Sequence, residues 1–500
     1  MKTKNILSKS IWVFFTFLLI ISCTPFDELE NDPNSATTVP PSLLLANIER
    51  GMSEEDGPWS EAQRDNQFWV ISFDYYGDQD YNWGAADFKY DVLANVEAMG
   101  MESQDLSTVN KYEAIAKFYK AYYYDYMSRR LGDIPLTESL MAAGENSIQK
   151  PKYDKQQSVY TQVLEWLEQA NAQIAEARQE VETGTVDGDF FYQGDLEKWQ
   201  RAINSFHLRV LINLSEHAAD MGVPAKFTKI INDPTTYPLM RGNGDNMQRV
   251  YGNEQNNFYT FNPGNYGFNR NRNIMGATYL DLLKVRNDPR IYEVADPAPK
   301  LFDPANPKAI SAYVGANTGN EQGPIQVASD NGELSYPNEI RYYDDYTGEP
   351  YIILGYAEQE LTIAEAANKG WITTDAAVHY ENGIHASMDF YGIAKSDASA
   401  YIAQPNVAYA GNNATGLEQV LTQKYIALFN NSGRESYFNF RRSGIPNFDV
   451  GPSNNNGGKI PLRWKYPQNE FQNNEANVKQ ALSDQYGGTD DINAKMWLIK

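Results

Sequence analysis

Hydrophobic and polar positions along this chain alternate between two regimes. In several long stretches apolar side chains recur every three or four residues, the spacing that places them on one face of a helix. Between these run long connections rich in Asn, Gly, Pro and Tyr. Tyr112, Ile115, Tyr119, Tyr122 and Tyr126 share a face of a helix predicted over about 108–131, which Gly132 and Pro135 stop. A second helix is expected over about 155–180, with Val159, Val163, Trp166, Ala170 and Ile174 as its stripe and Asp154 and Gln157 spaced as a capping box. A third covers about 195–218, with Ile203, Phe206, Val210 and Leu214 on one face and Asp195 as cap. The helical pattern breaks over 219–355, except for a short helix near 279–285. It resumes at about 356–369, stopped by Gly370, and at 374–391, where Ala377, Tyr380, Ile384, Met388 and Tyr391 share a face and Thr374 caps. Further helices are expected at about 416–431 and 434–441, and a short one begins near 43–48. Residues 57–100 read as irregular, and the tail as loops with one helix near 474–483. Strand signals are few, as at 248–251 and 351–354. Consecutive long helices predict a mainly α fold of stacked helix pairs, although the 34-residue tetratricopeptide period is not visible as a repeated signature.

The first 23 residues follow a different logic. Lys2, Lys4 and Lys9 precede an apolar run of 11 residues, 11–21, and then Ser22 and Cys23. A basic start, a short apolar stretch and a small residue at a cleavage point make an export signal. A spanning helix needs about 20 residues, so this segment delivers the chain rather than anchors it. Cys23 is the only cysteine and stands where a bacterial lipobox places the residue that becomes acylated; the competing reading is an ordinary secretory signal that happens to contain a cysteine. Cleavage before Cys23 removes three of the 42 basic side chains. The remaining 478 residues hold 39 basic and 65 acidic side chains, a formal charge of −26. That balance argues against nucleic acid as a partner and against adhesion to an anionic bilayer, so attachment falls to acyl chains on Cys23. With no second cysteine the exported fold has no internal disulfide and stands on packing. The next residues, TPFDELENDPN at 24–34, are acidic and proline-broken, the composition of a tether.

Several segments, in this order and spacing, resemble the SusD/RagB family of outer-membrane nutrient-binding lipoproteins. After Cys23, FDELENDPN at 26–34 is similar to the family's start. The run AKFYKAYYYDYMSRRLGDIPL at 116–136 resembles its first long helix and the Gly-Asp-x-Pro turn that follows, and FHLRVLINLS at 206–215 another helix. ELTIAEAANKGW at 360–371, YENGIHASM at 380–388 and Tyr391-Gly392 resemble its most recognisable block, which QKYIALF at 423–429 and RRSGIP at 441–446 complete. The resemblance implies a tetratricopeptide-like array of four helix pairs with a large loop-rich ligand-binding face. It implies 1–22 as lipoprotein signal peptide, 23–41 as acylated acidic tether and 42–500 as one domain. In that domain the helical array covers about 42–56, 102–218 and 356–443, and the loop-rich face about 57–101, 219–355 and 444–500. It also implies a partner and a place: a SusC-like TonB-dependent barrel transporter in the outer membrane, on which such a surface-exposed, lipid-anchored protein acts as a lid that captures oligosaccharides, or in some members peptides.

Signals for catalysis are sparse. The four histidines, His207, His217, His379 and His385, form no His-Glu-x-x-His pattern, and no Gly-x-Ser-x-Gly elbow exists. Gly458-Lys459 ends like a P-loop, but Ser453 and Ile460 occupy the positions of the first glycine and the hydroxyl residue. Asp78, Asp80 and Asn82 alternate as in calcium loops, yet Trp83 stands at the turn glycine and Lys89 at the bidentate Glu. No metal, cofactor or catalytic residue is expected. Aromatic–polar clusters outside the helices are the stronger signal. Tyr75, Tyr76, Tyr81, Asn82 and Trp83 lie in the first connection; Tyr259, Asn262, Tyr266, Asn269 and Arg270 lie in the long insertion, among Phe258, Phe261, Phe268 and Arg272. Aromatic faces bury the C–H faces of sugars, and Asn, Asp and Arg bond their hydroxyls. The opposing reading is that these rings pack loops onto the helical body. The leading functional reading is noncovalent oligosaccharide binding; peptide cargo, a surface glycoside hydrolase and a purely structural surface protein are the alternatives.

Overall fold

The computed structural model describes residues 39–73, 79–103, 111–142, 147–179 and 186–500. Pro41–Lys500 form one compact unit. Its frame is a series of helices: α1 (Pro41–Glu54), α2 (Tyr90–Glu102), α3 (Lys111–Leu131), α4 (Gln156–Ala177), α5 (Leu196–Asn213), α6 (Tyr356–Asn368), α7 (Ala376–Phe390), α8 (Ala414–Ala427) and α9 (Glu435–Ser443). Each of α1 to α4 packs on the next, α1 reaching α2 across a loop-rich segment; α5 then meets α6, and α6, α7 and α8 pack on one another. The chain is therefore mainly α, a stack of helix pairs of tetratricopeptide-like type.

Helix α3 is the centre of the first half. Its predicted stripe is core, with Tyr112, Tyr119 and Tyr126 buried and Tyr122 half-buried, but the opposite side is buried too. A helix covered on all sides loses the amphipathic pattern, because α2 and α4 flank it and α5 closes over it. Phe118 meets Trp199 and Phe206 of α5 edge-on at 5.6 and 5.5 Å. Several charged groups inside this core are paired. Arg129 bonds Asp125 at 3.0 Å and also Glu435, Arg209 Nε reaches Glu358 at 2.6 Å, and Arg442 reaches Glu365 at 2.6 Å. These links tie α3, α5, α6 and α9 together, and removing one member of such a buried pair costs about 3–5 kcal/mol.

Asp195 caps α5 as expected, accepting from the Glu197 and Lys198 N–H groups. Two other caps differ. The Asp154 carboxylate accepts from the Leu136 and Thr137 N–H groups at 2.8 and 2.9 Å, which ties the turn after α3 to the start of α4, so Lys155 takes the cap position. At α7 it is Asp375, not Thr374, whose carboxylate accepts the Ala377 N–H. The segment 57–100, read from sequence as irregular, contains a short helix (Glu61–Asp65), strand β1 (Trp69–Ile71) and all but the last two residues of α2, whose stripe of Leu93, Val96 and Met99 is buried. That stripe is only three residues long, too short to stand out among the surrounding turns.

Between α5 and α6 lie β2 (Met247–Arg249), β3 (Asn273–Met275) and several short helices, among them Val223–Asn232, Ala277–Lys284 and Gln322–Asp330; β4 (Tyr351–Leu354) ends the insertion. β1 pairs antiparallel with β3 (Val70 opposite Ile274), and β2 pairs antiparallel with β4. The first pairing sews the connection after α1 to the insertion. Helices Gln468–Asn473 and Glu475–Tyr486 occupy the tail. Among the described residues no helix is long and apolar enough to cross a membrane.

Candidate ligand-binding face

Three chain segments far apart in sequence meet on one side chain. Gln67 follows the short helix Glu61–Asp65, sits in the left-handed region at φ 59° and is fully buried. Its amide nitrogen donates to the Tyr81 hydroxyl at 2.5 Å and to the Asp449 carbonyl at 2.6 Å. Its amide oxygen accepts from the Asp449 N–H at 2.9 Å and from the Thr278 hydroxyl at 2.7 Å. All four sites of the amide are used, each on a different group. Tyr81 in turn donates to the Asp449 carbonyl at 2.9 Å, and burial pushes its phenol pKa well up, so it stays a donor. Gln67, Tyr81, the start of the helix Ala277–Lys284 and the loop around Asp449 are thereby held to one another.

Beside this hub the backbones of two loops cross. Ser453 N–H donates to the Gly319 carbonyl at 2.7 Å. A Cβ on Gly451 would stand 2.1 Å from the Gly319 carbonyl carbon, and one on Gly319 would stand 2.4 Å from the Val450 oxygen. Both residues have positive φ, so glycine is needed for space and for conformation. Two depressions flank the crossing and share Asn317. The smaller, about 410 Å³, is lined by Thr278, Asp281, Asn317, Asn447, Phe448 and Asp449, with Ala277 and Val450. The larger, about 520 Å³, has an apolar floor that includes Ile325, Ala328 and Leu334 and a polar rim of Asn317, Asn320 and Glu321. Apolar floors with a few polar groups at the rim are the general form of small-ligand sites.

The residues singled out from the sequence take several places. Tyr81 is part of the hub. Asn82 is exposed, next to Asp80, which accepts from Asn455 N–H at 2.7 Å; this puts the 79–83 segment against the loop that forms the rim. Trp83 is half-buried, with its ring stacked on Trp464 at 4.2 Å and its edge towards Tyr437. Tyr259 is in the core, where its hydroxyl accepts from Trp59 Nε1 at 3.0 Å, and it therefore presents no face outward. Asn262 closes a turn by accepting from Gly264 N–H and donating to the Tyr259 carbonyl. Tyr266 is half-buried against Tyr343, bonds Glu339 and lies 5.3 Å from the exposed Arg270 guanidinium. Asn269 is half-buried, and its carbonyl accepts from Asn273. Tyr75, Tyr76, Cys23 and Asp78 lie outside the described residues.

Sequence reading missed Gln67, Thr278, Asn317, Asn320, Asn447 and Asp449. The available signal was composition: GANTGNEQG at 315–323 and NFDVGPSNNNGG at 447–458 are runs of turn residues and amides. Phe448 is the one aromatic residue in these two runs, so neither stands out as an aromatic–polar cluster. Among the described residues no group of three or more His, Cys, Asp or Glu side chains is placed to hold a metal ion.

A family model described as starch-binding and associating with the outer membrane, of SusD-like type, matches residues 33–467. Among solved structures, a SusD homolog of Bacteroides fragilis is 30% identical over 92% of this chain and 100% of its own, with a TM-score of 0.82. A second from that species is 29% identical over 93% of this chain and 100% of its own, with a TM-score of 0.79. A chitin-binding SusD homolog of Flavobacterium johnsoniae, 20% identical over 92% of this chain and 98% of its own, shares the fold with a TM-score of 0.71. No curated protein matches the chain.

Proposed function

Because the chain belongs to the SusD-like family of starch-binding proteins that associate with the outer membrane, we propose that it is a cell-surface lipoprotein, acylated at Cys23, that binds oligosaccharides noncovalently and serves as the lid of a SusC-like TonB-dependent transporter. The observation that carries the binding half is the convergence of three loop segments on Gln67 beside two depressions rimmed with Asn, Thr and carboxylate groups. Amides and hydroxyls at a rim bond sugar hydroxyls, and an apolar floor takes a C–H face or an acyl methyl group. Asn317 belongs to both depressions and is the first residue assigned to the ligand. Asn82, Tyr266 and Asn269, in the loop-rich segments, are assigned as outer contacts, and Trp83 as a partly covered one. The chitin-binding relative makes N-acetylglucosamine oligomers a suitable first probe, alongside starch fragments.

Titration calorimetry of the mature protein against such oligomers tests this reading. Binding that Asn317→Ala weakens at least about tenfold, without a change in the melting curve, supports it. Binding that Asn317→Ala leaves untouched moves the site elsewhere, and no binding to any oligosaccharide rejects it. The smaller depression holds two carboxylates, Asp281 and Asp449. A paired-carboxylate hydrolase would cleave the oligomers; the binding role requires them to be recovered intact by chromatography.

A further inference from the structure

We propose that this face sorts glycans by charge: it accepts neutral and amino-bearing sugars and refuses those that carry carboxylate or sulfate groups. The inference rests on the binding role above and adds the ligand class.

Among the described residues, the charged side chains that line the two depressions are Asp281, Glu321 and Asp449, with no Lys, Arg or His in either lining. Recognition of a carboxylate or sulfate in proteins relies on Arg forks or Lys ammonium groups, and the cations nearby are turned to other work. Lys284, one turn along from Asp281, bonds that carboxylate at 3.3 Å, and Arg286 donates to the Leu282 carbonyl at 3.1 Å. Arg270 lies over the Tyr266 ring. Two helices begin at the depressions, Ala277–Lys284 and Gln322–Asp330, and a helix N-terminus favours negative charge. Glu321 stands at the cap position of the second, so the protein supplies that charge itself there, whereas Asp281 lies past the first turn of the other helix. The uncharged rim groups, Thr278, Asn317, Asn320 and Asn447, bond hydroxyl and acetamido groups without a charge preference. The formal charge of the whole chain, −23, adds a field of the same sign beyond the groove, screened over about 8 Å at physiological salt. An anionic sugar seated here would face three carboxylates of which Lys284 partners only Asp281, whereas an ammonium group would be drawn in.

The test compares matched oligomers by calorimetry at low salt: galactan with galacturonan fragments, mannan with mannuronan fragments, and N-acetylated with deacetylated chitin fragments. The expected result is that each uronate binds at least about tenfold more weakly than its neutral counterpart, and that the gap narrows in 0.5 M salt, taken as about three times physiological strength. The gap should also shrink in Asp281→Asn/Glu321→Gln, whose two positions are exposed, and shrink further when Asp449→Asn is added; melting curves verify folding. A uronate that binds wild type as tightly as its neutral partner overturns the charge rule while leaving oligosaccharide binding intact. Equal discrimination in the double and triple variants overturns the assignment to these carboxylates. Failure of every oligomer, neutral and charged alike, rejects the binding role and the charge rule with it.

Discussion

Replacing Gln67 with Met tests whether one buried amide organises the ligand face. Methionine keeps the length and most of the volume of glutamine but makes none of its four hydrogen bonds. The Asp449 carbonyl keeps Tyr81 as donor at 2.9 Å. The Asp449 N–H is left without its acceptor, and Thr278 loses its bond. At about 1 kcal/mol per net bond, with a further cost for the stranded N–H, the local loss is about 3–4 kcal/mol. Each 1.4 kcal/mol is tenfold in an opening equilibrium. Hydrogen exchange of the Asp449 and Ser453 amides should therefore quicken by about 100-fold or more, while amides in α3 and α5 keep their ranking at the slow end. Oligosaccharide affinity should fall by at least about tenfold, because a loosened rim must be ordered when the ligand binds. Thr278→Ala, which removes one bond of the four, should show about a tenfold effect or less in the same amides. Unchanged exchange over 447–453 in Gln67→Met would refute the hub, whatever happened to binding.

Gly451→Ala puts a methyl group against the Gly319 carbonyl in a left-handed backbone; a loss of at least about 1–2 kcal/mol in denaturant unfolding is expected, with weakened binding. Trp83→Ala removes a ring stacked on Trp464, so any loss of affinity should come with about 2–3 kcal/mol of lost stability, and a variant of wild-type stability would contradict that packing. Burial pushes the Asp133 carboxyl up to about 6, against the bond it accepts from the Gln156 N–H. The folded state holds this proton more tightly than the unfolded chain does, so stability present below about pH 4 is lost as pH rises to about 6, on the order of 3 kcal/mol. Asp133→Asn should abolish that part of the pH profile. Burial pushes His207 down to about 4, and neither ring nitrogen has a partner among the described residues. Stability present above about pH 6.5 should therefore fall as pH drops towards 4, again on the order of 3 kcal/mol, and His207→Leu should flatten the curve when unfolding is followed by far-ultraviolet dichroism.

What the linear sequence determined is the helical frame. The stripes at 112–126, 159–174, 203–214 and 377–391 announce α3, α4, α5 and α7, because a helix meets the core at a regular interval and a few residues suffice to show it. Asp195 as cap was legible for the same local reason. Asp154 was not, since whether its carboxylate turns to its own helix or to the N–H groups of Leu136 and Thr137 depends on a strand of chain 17 or 18 residues earlier. The aromatic clusters were visible as composition, but the side each ring takes was not: Tyr259 lies beneath Trp59 and Tyr342, while Tyr266, seven residues later, stays half-exposed. The proposed ligand face depended on tertiary structure altogether. Gln67, Thr278 and Asp449 have no pattern in common along the chain; they become a unit only when folding closes loops of some 200 and 380 residues and a single amide satisfies four groups on three residues, Tyr81, Thr278 and Asp449. Periodicity records contacts repeated along one element, whereas a buried hydrogen-bond junction is a single contact between distant segments and leaves no interval to read.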